Sequence, residues 1–245
     1  MRQLSLTISM LLIIAVILSI SGRAQEGDVY VSLAGGMSIP LADYAATDFS
    51  RETSGFARPG GNFTIHFGYR MNEYLSLCGL LSGSVNRFDY ISVQEELNTI
   101  YREVLPDTRW VVETKSWGLG GLLAGLNVSL PLHTRRLYLE GRLLGGFLYS
   151  YSPAVYITGV ESGMEDKTIT IEQSAAPAWS FDAGAGFRYQ RSKKQYFTLY
   201  ADYVYAQPYF KDVRTNSNFA YKRDDSYSQK AGALNITLGI GYIVN

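Results

Sequence analysis

The chain has 245 residues with 22 basic and 22 acidic side chains, so its formal charge is zero and nothing points to a nucleic-acid partner. Cys78 is the single cysteine, which excludes an internal disulfide framework and a thiolate metal cluster. Glycine (24) and tyrosine (19) are plentiful and proline (7) is scarce, and the length suits one all-β domain.

The chain opens with Arg2, an apolar run from Ile8 to Ile20, then Ser21-Gly22-Arg23-Ala24-Gln25. A basic start, an apolar stretch and small residues before a break describe a secretory signal peptide, residues 1–24, leaving a barrel domain at 25–245. The run is shorter than the roughly 20 residues a spanning helix needs. No Cys stands directly after it, which excludes a lipoprotein anchor. No later apolar run suits a spanning helix, so a membrane form of this chain is a barrel.

A period of two marks the strands. Residues 28–39 set Val29, Val31, Leu33, Met37 and Ile39 against Tyr30, Ser32, Ala34, Gly36 and Ser38. A polar stretch, 41–58, precedes the second strand, 61–70, where Phe63, Ile65, Phe67 and Tyr69 oppose Asn62, Thr64, His66 and Arg70. After a tight turn at 71–73, Leu77, Leu81 and Val85 oppose Cys78, Leu80 and Ser84. The spacing then turns helical from Val93 to Leu105 and stops at Pro106, predicting an amphipathic helix inside a long loop. Such a stripe packs on the rim or docks a partner, and rim packing is the commoner use.

The fourth strand, 117–130, carries Gly118, Gly120, Gly121 and Gly125, which suggest a bulge or a close approach and leave its parity open above Gly121. A basic turn with Arg135 and Arg136 leads to the fifth strand, 137–151. Within the connection 153–178, residues 155–160 and 167–172 read as a hairpin. The sixth strand, 179–190, alternates most clearly: Trp179, Phe181, Phe187 and Tyr189 against Ser180, Asp182, Gly184, Gly186 and Arg188. A turn with Lys193 and Lys194 joins it to the seventh, 196–205, where Phe197, Leu199, Tyr203 and Tyr205 oppose Tyr196, Thr198, Tyr200 and Asp202. A polar connection, 207–230, leads to the terminal strand from Ala233.

These eight strands are joined by alternating long and short connections, the pattern of an antiparallel up-and-down transmembrane β-barrel with long outer loops and short periplasmic turns. A soluble barrel has the same alternation with its apolar face inward. Here the polar face is small residues and carries no Lys, which suits a narrow lumen rather than a water-facing wall. The apolar face ends in aromatics: Trp117, Tyr149, Tyr151, Trp179 and Tyr205 at the loops, Tyr69, Tyr189, Phe197 and Tyr242 at the turns. Two such girdles belong to a lipid-facing surface.

The end of the chain, with Thr237, Gly239, Tyr242 and Val244, resembles the signal by which bacterial outer-membrane barrels are delivered to their assembly machinery. It departs from that pattern in Val244, where an aromatic is commoner, and in the extra Asn245. Together with the leader, strand count and girdles, the chain resembles the small OmpA/OmpX-type outer-membrane barrels. The Ala24-Gln25 cut and Tyr-rich strands are similar to Bacteroidetes members, including the PorT-like barrel family. The resemblance implies a bacterial outer-membrane location and, in its PorT-like version, support of an envelope secretion machine.

The inward face carries His66, Arg70, Glu140, Arg142, Asp182, Arg188 and Asp202. An eight-stranded lumen is just wide enough to be filled by side chains, so a salt-bridged plug is the plain reading and a narrow solute or proton path its rival. Asp182 and Asp202 invite a paired-carboxylate reading, but acids in a filled lumen reach no substrate. An outer-membrane lipid-modifying enzyme would use a His, and neither His66 in the lumen nor His133 in a turn lies beside a suitable partner in sequence. Cys78 reads as a small lumen residue, and the triplet Asn127-Val-Ser129 sits in a strand and carries no glycosylation meaning. No cofactor or metal is expected. The long loops hold Trp110, Tyr156, Tyr209, Phe210, Phe219 and Tyr221, which suit either a protein partner or rim packing. The expected function is therefore non-enzymatic: a structural or interaction barrel, set in outer-membrane lipid and working through its outer loops.

Overall fold

The computed structural model describes residues 28–49, 51, 53–103, 105–132, 136–161, 163, 165–218 and 223–244. The expected signal peptide lies outside them, as do His133, Arg135, Phe219 and Tyr221. Among the described residues the elements run β1 (Val29–Leu41), β2 (Ala57–Arg70), β3 (Leu75–Phe88), α1 (Tyr90–Ile100), β4 (Thr108–Thr114), β5 (Trp117–Pro131) and β6 (Leu137–Tyr151). There follow β7 (Val155–Glu161), β8 (Lys167–Ile171), β9 (Ala175–Gln190), β10 (Gln195–Ala206), β11 (Tyr209–Ser217), β12 (Arg223–Ser228) and β13 (Ala231–Val244).

Eight of these strands close an antiparallel barrel in the order β1-β13-β10-β9-β6-β5-β3-β2. Closure comes from β1 and β13, in register from Val29–Val244 to Leu41–Gly232. The expected fold class therefore holds. The short connections tighten through side-chain acceptors: Asn72 Oδ1 takes the amides of Tyr74 and Leu75, each at 2.9 Å. Ser192 Oγ takes those of Lys194 and Gln195 in the same way.

Of the two readings left open for the glycines of the fourth strand, a bulge or a close approach, the structure shows the close approach. Pairing of β3 with β5 runs without a shift from Leu75–Val128 to Asn86–Trp117. The shift lies instead in β2, between Arg58 and Gly60. The glycines of β5 serve close approach: a Cβ at Gly121 or Gly125 would run into the carbonyl oxygens of Phe147 or Leu143 on β6. Unbroken register settles the parity. It turns Trp117 inward, so Trp117 does not belong to the outer aromatic girdle.

The other expected girdle residues stand on the outer face. Trp179 is 73% exposed, and Tyr149, Tyr151, Tyr189, Phe197 and Tyr242 are exposed with it. Tyr69 and Tyr205 are half-buried on the same face. Between them run Leu33, Phe63, Leu81, Leu143, Ile236 and Leu238, all exposed. A contiguous apolar belt around a barrel is stable in hydrocarbon and costly in water.

The long connections do more than the alternation foretold. β4, β7, β8, β11 and β12 form a second antiparallel sheet in the order β12-β11-β8-β7-β4. The 155–160/167–172 hairpin is its centre, as β7 and β8. The stretches that become β4, β11 and β12 lack clean alternation and read as loop. Their pairing partners are distant in sequence: β4 with β7, and β11 with β8.

The helix is α1, starting at Tyr90 and ending with Tyr101 as its C-cap, one turn earlier than the expected 93–105. Asp89 decides the start, because its side chain accepts from the Ser92 amide at 3.4 Å. Burial works against charge on Asp89, yet hydrogen bonds from Ser92 and Arg58 outweigh it and hold the carboxyl below its usual range. The cap is accordingly at full strength above the ordinary Asp range and is lost as pH falls through the depressed value. Val93 and Leu97 pack with Trp110, Val112, Val155 and Ile157 in one small core.

α1 also covers the edge of the second sheet. Asn98 Oδ1 accepts from the Trp110 amide at 3.0 Å, and its Nδ2 donates to the Trp110 carbonyl at 3.2 Å. Gln94 Oε1 accepts from the Val112 amide at 3.1 Å. Two side-chain amides thus stand where a sixth strand would pair, which blunts an edge otherwise open to other chains. Asn98→Ala is expected to cost about 1–2 kcal/mol and to speed hydrogen exchange at Trp110 selectively, read by amide exchange mass spectrometry.

Candidate functional site

The lumen is layered. From the turn end upward, β6 points Tyr138, Glu140, Arg142, Leu144, Leu148 and Ser150 inward, so charge gives way to aliphatic carbon halfway. Strands β9 and β10 present the matching acids and aromatics.

Register explains how the charges meet. Arg142 on β6 lies across from Gly184 on β9, which lies across from Asp202 on β10. One row nearer the turns the same order reads Glu140, Gly186, Tyr200. In each row the central glycine leaves room for its two neighbours to close over it. A Cβ at Gly184 would collide with the Asp202 carboxylate, and one at Gly186 would strike the Leu199 carbonyl and the Tyr200 ring.

Over Gly184, Arg142 Nε and Nη2 donate to the two Asp202 oxygens at 2.8 and 2.7 Å, a bidentate pair. The same guanidinium lies 4.3 Å from the Tyr200 ring centre. Asp182 sits one row higher, 3.8 Å from Arg142 Nε, and neither of its oxygens has a hydrogen-bond partner. Over Gly186, the Tyr200 hydroxyl donates to Glu140. Arg188 Nε and Ser129 Oγ both donate to Glu140 Oε1, each at 2.7 Å. Arg188 also lies 4.1 Å from the Tyr138 ring centre.

Glu140, Arg142, Asp182, Arg188 and Asp202 are therefore brought together, all buried. Two of the seven expected lumen residues, Arg70 and His66, share no hydrogen bond or ion pair with these five, although both border one small space with Glu140 and Arg188. Arg70 lies at the turn end, ion-paired with Asp28 at 2.8 Å and partly exposed. His66 is buried with its ring edge to Tyr30 at 5.4 Å, and its Nε2 has no hydrogen-bond partner. Tyr196 and Tyr200 belong to the network as much as the charges do. Their inward parity was visible in the sequence, but a tyrosine reads as belt or lumen with equal ease.

Above the charges the lumen closes. Cys78, Leu80, Leu123, Leu144, Leu148, Ala178, Val204 and Ala206 form one buried cluster across it. Over that lies a lid of Tyr44, Ala57, Trp117, Ala176, Phe210, Val213 and Ala231. Trp117 Nε1 donates to the Gly55 carbonyl at 2.7 Å, tying the lid to the first long loop. Two spaces among the described lumen residues are water-sized: about 10 Å³ beside His66, Glu140 and Arg188, and about 10 Å³ beside Ser82, Ser84 and Asn235. Such spaces admit no substrate.

The loop aromatics divide. Trp110 and Phe210 are buried, as core of the second sheet and as lid, while Tyr156 and Tyr209 are 41% and 52% exposed. Of the terminal residues, Thr237 and Gly239 line the lumen while Tyr242 and Val244 stand on the belt. Among the described residues no group of His, Cys, Asp and Glu could hold a metal ion.

No family model matches the chain, and no curated protein matches it in sequence. Solved structures do. The chain is similar to Ail, the attachment invasion locus protein of Yersinia pestis, at 14% identity over 90% of this chain and 100% of that one, TM-score 0.42. It is similar to a major outer membrane protein of Thermus thermophilus at 12% identity, 90% and 100% coverage and TM-score 0.49. The outer membrane protein OprG of Pseudomonas aeruginosa gives 10% identity, 91% and 98% coverage and TM-score 0.44.

Proposed function

We propose that this protein is a sealed, non-enzymatic barrel of the bacterial outer membrane whose working surface is the sheet built from its outer loops. One observation carries the reading. Three connections that could have stayed separate loops condense into one five-stranded sheet with its own helix and core, above a lumen filled by ion pairs and carbon. Order of this kind outside a membrane costs backbone entropy and suits a surface presented to a partner. The apolar belt and the two aromatic girdles support the membrane setting. The filled lumen argues against a solute path. His66, whose Nε2 has no hydrogen-bond partner and which borders only a water-sized space, argues against lipid chemistry there.

The finer version is a PorT-like barrel of Bacteroidetes that supports an envelope secretion machine. It rests on the leader cut and the Tyr-rich strands. Chemical crosslinking in cells tests both levels, with tagged protein as bait and a form trimmed of residues 93–106 as control. A stoichiometric envelope partner lost on trimming supports an interaction barrel, and its identity as secretion machinery supports the finer version. A trimmed barrel that still inserts, with no partner captured by either form, sinks the interaction reading.

A further inference from the structure

At the loop end of the belt, two arginines face each other with too little negative charge between them. Arg58 on β2 and Arg87 on β3 are register partners. Both are exposed on the outer face, beyond the last belt residue Val85. Like charges directly opposite on neighbouring strands destabilise a sheet unless an anion lies between them. Asp89 meets only part of that need: Arg58 Nη2 donates to it, while among the described residues no acid pairs with Arg87.

Directly beneath, the belt is hollow. Gly83 on β3 lies opposite Gly120 on β5 and Phe63 on β2, and Gly61 on β2 lies diagonal to Gly83, one outward row nearer the arginines and opposite Val85. A Cβ at Gly61 or Gly83 would meet nothing within 4 Å. From Tyr69 at the turn-end girdle to Arg58 the strand covers about 35 Å, or about 25 Å along the axis of a tilted barrel, the height of a hydrocarbon belt. The arginines thus stand at headgroup level and the hollow at acyl level. Tyr90 and Ile91, 46% and 53% exposed, follow at the start of α1.

We propose that Arg58 and Arg87 bind the phosphate of an outer-leaflet lipid whose acyl chain lies over Gly61, Gly83 and Gly120. The site rests on the outer-membrane reading. A guanidinium pair matches a phosphate by charge and by donor geometry, and the single Asp89 leaves one positive charge for it to neutralise. The glycines add what a free anion does not need, a shallow trough for a chain.

Native mass spectrometry of the full-length barrel tests this, with bis-phosphorylated lipid A as probe and vesicle insertion of the same preparations measured alongside. Arg87→Gln is the sharper variant, because Arg58 also holds the helix cap. The wild type is expected to retain one lipid A, with about tenfold weaker retention in Arg87→Gln and in the hollow-filling Gly83→Leu. Dephosphorylated lipid A is expected to bind the wild type no better than lipid A binds Arg87→Gln. Equal retention by inserted wild type and Arg87→Gln overturns the site and leaves the barrel reading standing. Displacement of lipid A by millimolar inorganic phosphate overturns the lipid as ligand. Failure of the wild type to insert overturns both readings.

Discussion

Arg142→Ala is expected to destabilise the barrel by about 3–5 kcal/mol, because removing one partner of a buried pair leaves its counter-charge uncompensated. The loss here is larger than one pair. Asp202 and Asp182, 2% and 1% exposed and one row apart on the neighbouring strands β10 and β9, are then left without the guanidinium that lies beside both. Arg188 cannot take over, since it is held to Glu140 and stacked on Tyr138. The check is a urea titration of protein folded in lipid vesicles, read as the fraction that resists gel unfolding. Arg142→Met combined with Asp202→Leu removes charge from both sides and is expected to recover part of the loss. A single Arg142→Ala within about 0.5 kcal/mol of wild type would mean that the charges are hydrated rather than buried.

Trp117→Ala is expected to cost about 3–5 kcal/mol as well, for a different reason. The indole is 3% exposed and lies edge-on to Tyr44 at 5.5 Å between ring centres, with Phe210 at 6.0 Å. Truncation opens a cavity across the lid and leaves the Gly55 carbonyl without its donor. Had Trp117 stood in the outer girdle, the same change would cost little and alter only the depth of insertion. The same vesicle titration therefore separates the lid position from the girdle position.

Legibility followed period and sequence distance. Strands of the barrel announce themselves because one face meets hydrocarbon and the other a crowded lumen, so Trp179 to Arg188 alternate without a break. Lumen charges are legible for the same reason: parity alone puts Glu140, Arg142, Asp182 and Asp202 on one side of neighbouring strands. Parity does not say at what height each stands, which is why Arg70 joined the list although it lies at the rim with Asp28. Trp117 misled because the glycines that follow it erase the alternation, and an aromatic at a strand end looks like a girdle. The second sheet was hidden in stretches such as 207–230, where Phe210 and Val213 are set among polar residues without a sustained period of two. The β7–β8 hairpin was legible locally, but the pairings of β4 with β7 and of β8 with β11 join different loops, and no local pattern encodes them. The glycines of the lumen, Gly184 and Gly186 among them, were visible as small residues on the inward row. Their purpose, room for Arg142 and Asp202 to meet, needs the register.

Single-channel recording of the purified full-length barrel in a planar bilayer tests the central claim most directly. A lumen filled by the Arg142 and Glu140 networks and closed above by Leu80, Leu123 and Leu144 predicts insertion without resolved conductance steps. Steady ohmic steps in wild-type protein, altered in size by Arg142→Ala, would contradict a sealed barrel and place the function in the lumen instead of on the outer sheet.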